Sequence, residues 1–367
     1  MDTATQALLG AVVGQAAYSH RLGRRAVAWG AVGGLLPDLD VLAVATHGPF
    51  GEFLYHRGFT HALWFGPVVG PALGWLVWRA YARRRGKAHR VPPPGRLDPG
   101  DPTQLSAWIG LFTLALFTHP LIDVFTTYGT QLLAPFSLER FAINSVGIID
   151  PTYSGILIAA LLAGWGLRRN TRRARLVATV ALALSWGYLG YGWLLNEQAR
   201  ADVTARLQAQ GVTPQRVNVY PTLLQPYLRR VVVRADGEIW VGLYSPFRAE
   251  GPVWERFRPE PAEPWLDKLL ATREGAIFAW FAMGEVAARV QHEGGSVTVE
   301  LDDLRYGVPG IPERGLWGIR GVFDRTGRLL GPVRRIGMAR PSIPLGALWR
   351  ATWGDFSGLV ATRPSRF

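Results

Sequence analysis

Three short polar clusters sit at the ends of apolar segments: Pro37-Asp38-Leu39-Asp40, His56-Arg57-Gly58-Phe59-Thr60-His61 and His119-Pro120-Leu121-Ile122-Asp123. Histidines and carboxylates beside lipid-compatible sequence are costly unless something binds them, and such residues are functional candidates by default. A divalent metal ion satisfies all three clusters at once. His119 and Asp123 are four apart, hence stacked on one helix face. His56 and His61 are five apart and need a turn between them, which Gly58 permits. Asp38 and Asp40 follow a proline and can both approach one centre only from a non-helical turn. The expected ligands are His56, His61, His119 and Asp123, with Asp38 and Asp40 completing a second ion or bridging two. Mixed imidazole and carboxylate ligation suits zinc first, with manganese or iron as alternatives.

Such a centre would lower the pKa of water and polarise a phosphoryl or carbonyl oxygen. Asp38 or Asp40 would accept or orient the proton, and Arg57 would grip a substrate phosphate in a bidentate fashion. Asp38, Asp40 and Arg57 are therefore the catalytic expectation. Plainer roles exist for each: Asp38 as a helix cap, Arg57 snorkelling toward headgroups, Asp123 and Arg57 as a structural ion pair. His20, His47, His89 and His292 read as ordinary hydrogen-bonded or interfacial histidines. Asp150-Pro151 has the form of a common helix start.

The elements that must carry these residues are apolar runs at 4–20, 26–46, 60–82, 104–125, 148–167 and 175–195. Each approaches the roughly 20 residues needed to cross a bilayer. The fold class expected is mainly α, a polytopic bundle of about six spans over 1–195, followed by a C-terminal α+β domain over 196–367. Arginines cluster after the first, third and fifth runs, whereas 47–59 and 126–147 hold only Arg57 and Arg140. That asymmetry predicts both ends and all three clusters on the outer side of a bacterial inner membrane, with the C-terminal domain extracytoplasmic. The net charge of +13 then reads as a topology signal, and no nucleic-acid partner is expected. The first run lacks a basic stretch ahead of it, which favours a retained span over a cleaved signal peptide. With no cysteine, neither a disulfide framework nor a thiolate metal site exists.

Pro92-Pro93-Pro94-Gly95 marks an extended linker between the third and fourth runs. Beyond 195 the character changes: a short amphipathic helix over 196–210, then alternating strands on either side of Asp236-Gly237, a two-residue hairpin signal. Further strands are expected at Ser296–Leu301 and Leu316–Phe323, with helix over 262–290 between them.

The ordered set of motifs is similar to that of bacterial inner-membrane metal-dependent hydrolases of the YdjM type. The matching stretches are Met1-Asp2-Thr3-Ala4-Thr5-Gln6, Pro37–Asp40, His56–His61, His119–Asp123 and Thr126–Gly129, with Gln131–Ser137 and Asp303–Gly307 as further features. The resemblance implies hydrolysis by metal-assisted water attack. The His-x-x-x-Asp pair is also similar to that of zinc-dependent phospholipase C and P1-type nucleases, which implies phosphoester cleavage. Gln6 stands where the family carries a histidine, implying one ion fewer or weaker metal binding. A site at headgroup depth implies a lipid or lipid-linked substrate. The rival reading is a non-enzymatic membrane scaffold or regulator whose metal is structural; a transporter would need paired broken helices that the sequence lacks.

Overall fold

The computed structural model describes residues 1–88, 98–167, 169–259, 264–307, 310–337 and 345–359. His89 and Pro92–Gly95 lie outside the described residues. The chain forms two units, Met1–Leu42 with Tyr55–Gly192, and Ala43–Leu54 with Trp193–Phe367.

The first unit begins with helices α1 (Thr3–Leu22) and α2 (Arg24–Leu35). The Asp2 side chain caps α1 by accepting from the Thr5 amide. Gly10 and Gly14 line one face of α1 and meet Ala26, Gly30 and Gly34 of α2. A Cβ on Gly10 would lie 2.1 Å from the Gly30 carbonyl oxygen, and one on Gly34 would lie 2.3 Å from that of Gln6. Facing small residues at four-residue spacing let two backbones touch, the packing available to helices that gain nothing from burying leucine against lipid. The contact brings Gln6 beside the end of α2, where a six-residue 3₁₀ turn, Pro37–Leu42, presents Asp38 and Asp40. Two short helices follow, α3 (Ala43–His47) and α4 (Gly51–Tyr55).

The same device recurs between α5 (Phe65–Ala88) and α6 (Leu105–Asp123). Gly66, Gly70 and Gly74 press on the backbone of Phe117, Thr113 and Ile109, with added Cβ atoms falling 2.6–2.8 Å away. Helix α6 is thereby fixed along its length, and its last turn carries His119 and Asp123. Asp150 caps α7 (Pro151–Gly166) through the Thr152 and Tyr153 amides, the helix start that Asp150-Pro151 announces. Leu9, Val12 and Val13 of α1, Ile122 of α6, Leu157 of α7 and Leu189 of α8 (Thr171–Ala209) share one buried core.

The expectation of six spans is not met. Among the described residues three helical stretches are long and apolar enough to cross a membrane: Arg24–His47, Pro102–Asp123 and Thr171–Ala209. Helix α1 is built from Ala, Gly and buried polar Thr5, Gln6 and Gln15, so its apolar content falls short. Helix α5 turns to arginine from Arg79 onward, and α7, though apolar, has 16 residues. The sidedness inferred from six alternating loops goes with them. Likewise no separate helix begins at 196: α8 runs unbroken from Thr171 to Ala209 because no Gly or Pro interrupts Trp193–Ala209.

The second unit holds two antiparallel four-stranded sheets in sequential order. One contains β1 (Arg216–Pro221), β2 (Arg229–Ala235), β3 (Glu238–Tyr244) and β4 (Val253–Phe257). Asp236 and Gly237 turn the β2–β3 hairpin with φ of 52° and 73°, the left-handed pair a two-residue loop requires. Helices α9 (Trp265–Leu270) and α10 (Arg273–Phe281) come next. The helix expected over 262–290 stops there, because Met283 and Gly284 turn left-handed and Val286 starts a strand. The second sheet contains β5 (Val286–Glu293), β6 (Ser296–Asp303), β7 (Trp317–Asp324) and β8 (Arg334–Gly337); α11 (Leu345–Thr352) follows. Its charged residues neutralise one another: Glu300 binds Arg289 at 2.6 Å, Arg320 at 2.6 Å and Arg314 at 2.9 Å. Burial alone would raise the Glu300 pKa, but the bonds from Arg289 and Arg320 hold it below the usual carboxylate range.

The α1–α2 contact generates a direct test. Gly30→Leu must push the helices apart, since its Cβ would meet the Gly10 carbonyl oxygen at 2.2 Å. A loss of at least about 2 kcal/mol is expected, read as a lower unfolding midpoint of the purified protein in detergent. An unchanged midpoint would show that the helices do not touch through their glycines.

Candidate metal centre

Four side chains from three segments converge in the first unit: Asp38 from the 3₁₀ turn after α2, His61 from the turn before α5, and His119 and Asp123 from the last turn of α6. One donor atom of each lies within 4.8 Å of all the others, and all four residues are buried. His61 Nε2 is 2.9 Å from His119 Nε2 and 3.2 Å from Asp123 Oδ2. His119 Nε2 is 3.3 Å from Asp38 Oδ1 and 3.5 Å from Asp123 Oδ2, and the His61–Asp38 separation is 3.6 Å. A tetrahedral ion with bonds of roughly 2.0–2.1 Å separates its ligand atoms by about 3.3 Å. The edges of this cage straddle that value.

The protonation pattern follows from the outer partners. His119 Nδ1 lies 2.7 Å from the Gly34 carbonyl oxygen, which only accepts, so Nδ1 carries the proton. His61 Nδ1 faces Asp40 Oδ2 at 3.1 Å, and the neighbouring Thr60 hydroxyl already donates to that same oxygen. His61 Nδ1 is therefore the donor as well. In the neutral rings both Nε2 atoms hold lone pairs that point at each other and at two carboxylate oxygens. Asp38 Oδ2 and Asp123 Oδ2 have no hydrogen-bond partner. A lone proton can bridge two of these atoms; a divalent cation satisfies all four. An imidazole whose second nitrogen donates to a carbonyl or carboxylate is the usual setting of a metal-bound histidine. The residues present thus fit a metal ion.

The outer layer accounts for the remaining expected residues. Asp40 accepts from His56 Nδ1 at 2.7 Å, the Arg57 amide at 3.0 Å and the Thr60 hydroxyl at 2.8 Å, in addition to His61. Three of these contacts fall on Oδ2, and Asp40 stands beside His61, outside the four-donor group. His56 is likewise outside the four-donor group, turned onto Asp40 with its ring 5.2 Å from that of Tyr128. The four-donor group takes Asp38 from the Asp38–Asp40 pair and leaves Asp40 outside it. Arg57, expected to grip a substrate phosphate, lies buried beside Asp123. Its guanidinium is 1% exposed, sits 3.3 Å from Asp123 Oδ1, and donates to Thr126 Oγ1 at 2.7 Å. It pairs with the Asp123 oxygen that the two histidines do not approach. Its backbone is left-handed (φ 59°), rare for a side chain this large, and lies between His56, which meets Asp40 Oδ1, and His61, which meets Oδ2.

Gln6 is fully buried, donating from Nε2 to Asp123 Oδ1 at 3.0 Å and to the His119 carbonyl at 3.2 Å. It supports the carboxylate from outside the donor set. Sequence reasoning missed the Gly34 carbonyl and the packing role of Thr126 and Tyr128. The Thr126–Gly129 motif was the available signal, and Gln131 of the next motif pairs its amide with the Arg57 carbonyl at 2.9 Å. Asp303–Gly307 lies in the second unit, where Asp303 binds Arg305 at 2.7 Å.

With this geometry in place, comparison with known proteins is informative. A family model described as YdjM inner membrane protein matches residues 1–199, over half of the chain. The chain belongs to the YdjM inner membrane protein family. Every donor described above falls inside the matched region. Inner membrane protein YbcI of Escherichia coli (strain K12) is 34% identical over 109 residues, covering 29% of this chain and 51% of that protein. The uncharacterized protein YfhP of Bacillus subtilis (strain 168) is 29% identical over 166 residues, covering 41% of this chain and 42% of that one. The chain spans about half or less of the length of these curated relatives. No solved structure matches. The family and the candidate spans make this an inner-membrane protein.

The layered arrangement predicts unequal consequences. His119→Ala and Asp123→Ala should abolish bound metal in the purified protein. Asp40→Asn should weaken binding about 10- to 100-fold, and His56→Ala should leave stoichiometry intact. Metal analysis and chelator competition check all four, and loss of metal on removing His56 would return it to the ligand set.

Proposed function

We propose that the protein is a membrane-bound metal-dependent hydrolase with zinc as its ion, acting on a phosphoester in a lipid or lipid-linked substrate. The observation that carries this reading is an asymmetry among the four donors. His61 is locked by Asp40, His119 by the Gly34 carbonyl, and Asp123 by Arg57 and Gln6. Asp38 has no such partner outside the group among the described residues: the two imidazoles approach its Oδ1, and its Oδ2 is bare. Three fixed ligands and one loose one is the pattern of catalytic zinc sites, which hold three protein ligands and keep a fourth position exchangeable.

When bound, the metal supplies a Lewis acid that lowers the pKa of water and polarises the scissile oxygen. The chain's own residues do the rest. Asp38 is the most exposed of the four at 8%, and accepts the proton of the attacking water at Oδ2. Arg57 and Gln6 hold Asp123 aligned through Oδ1. Asp40 fixes the His61 tautomer and passes that constraint to His56. Mixed His and Asp donors favour zinc over ions that prefer all-oxygen shells. A lipid substrate fits residence in the inner membrane, where diffusion in the bilayer plane delivers it. The competing reading, a structural ion in a non-enzymatic scaffold, draws on the fact that four protein donors suffice to close a tetrahedral shell.

Asp38→Asn separates the two. As a hydrolase, the variant should retain at least half the wild-type zinc while losing about 100-fold or more in turnover, assayed on phospholipid and lipid-phosphate panels in detergent micelles. A structural site predicts no turnover from either protein and a lower unfolding midpoint for the variant.

A further inference from the structure

The segment Ala43–Leu54 interrupts the metal-binding sequence yet belongs to the C-terminal unit. Val41 and Leu42 alone separate it from Asp40, and Tyr55 alone separates it from His56. Its two ends are drawn together by Asp40, which accepts from His56 Nδ1 at 2.7 Å and from the Arg57 amide at 3.0 Å. The base of this loop is thus the layer of residues that orients His61.

The tip is held just as firmly. Phe53 is fully buried and stacks on Phe281 of α10, with ring centroids 4.4 Å apart and planes at 28°. Phe278 packs edge-on at 5.7 Å. From β8, the Arg335 guanidinium lies 4.3 Å from the Phe53 ring centre and donates to the Pro49 carbonyl at 2.6 Å and to Glu52 at 2.9 Å. An aromatic plug, a cation over its face and an ion pair beside it fasten one short helix to the second unit.

We propose that the C-terminal unit sets the affinity of the metal centre by gripping this loop, with Phe53 as the positioning residue. Freeing the tip would restore chain entropy to the loop and loosen its base. Asp40 would then hold His61 less often in the tautomer and orientation that present Nε2 to the ion. The effect runs both ways, because a coupling between two sites is reciprocal: metal at the centre must tighten the Phe53 pocket. The inference rests on the metal reading, and it gives the C-terminal unit a regulatory role: whatever loosens α10 or β8 lowers metal affinity.

The test uses the full chain in detergent micelles, titrated with zinc against a chromogenic chelator. Phe53→Ala should raise the zinc dissociation constant roughly tenfold. Phe53→Leu, which refills most of the pocket, should recover most of that loss. Val233→Ala, in the core of the other sheet, should destabilise the second unit without moving zinc affinity. Arg335→Ala, a milder lesion that spares the plug, should shift affinity in the same direction as Phe53→Ala. Zinc should also slow amide hydrogen exchange over Phe278–Phe281 in the wild type and fail to do so in Phe53→Ala. Wild-type affinity in both Phe53→Ala and Arg335→Ala, with exchange in α10 indifferent to zinc, would overturn the coupling alone. A wild-type protein that binds no zinc would overturn the metal reading and the coupling with it.

Discussion

The structure turns on two imidazole nitrogens and two carboxylate oxygens that face one another with nothing to donate. Outer hydrogen bonds fix this: the Gly34 carbonyl and the Asp40 carboxylate each take the Nδ1 proton of a histidine, so both Nε2 lone pairs point inward. Left empty, such a cage costs several kcal/mol in unpaired, desolvated acceptors. A cation would satisfy all four atoms at once. Arg57 and Gln6 both reach Asp123 Oδ1, leaving Oδ2 to the cage.

Everything else in the first unit serves to bring those atoms together. The α1–α2 contact puts the Gly34 carbonyl and Gln6 within reach of α6, and the α5 glycines hold α6 so that its last turn faces the 3₁₀ turn bearing Asp38. These are backbone-on-backbone contacts with no slack. A single methyl group would displace a helix and, with it, a ligand. The centre therefore demands glycine far from any chemistry, and the loop from Asp40 to His56 extends that dependence into the second unit.

Much of the site was legible in the sequence. The four-residue step from His119 to Asp123 marks one helix face, and Pro37 before Asp38 marks a turn. What spacing does not encode is which nitrogen of a histidine looks inward. His56 and His61 are of one type in one motif, yet His61 joins the four-donor group and His56 turns to Asp40 alone. Arg57 read as an arm for substrate because a guanidinium pairs with phosphate in a bidentate fashion. Its burial against Asp123 depends on a partner 66 residues away. The six spans failed for a related reason: Ala- and Gly-rich α1 resembles a span by periodicity, but its surface is consumed by α2 and by buried glutamines. In the second unit, local signals worked where they were self-contained, as at Asp236-Gly237. They overran where a strand was imposed from outside, as β5 is by pairing with β6.

The central claim is that imidazole and carboxylate share one ion. X-ray absorption at the metal edge of the purified protein tests it most directly. The account predicts a shell of about four light atoms at roughly 2.0–2.1 Å, with the outer scattering of two imidazole rings. A six-oxygen shell without imidazole scattering, or a protein that retains no metal, would contradict it.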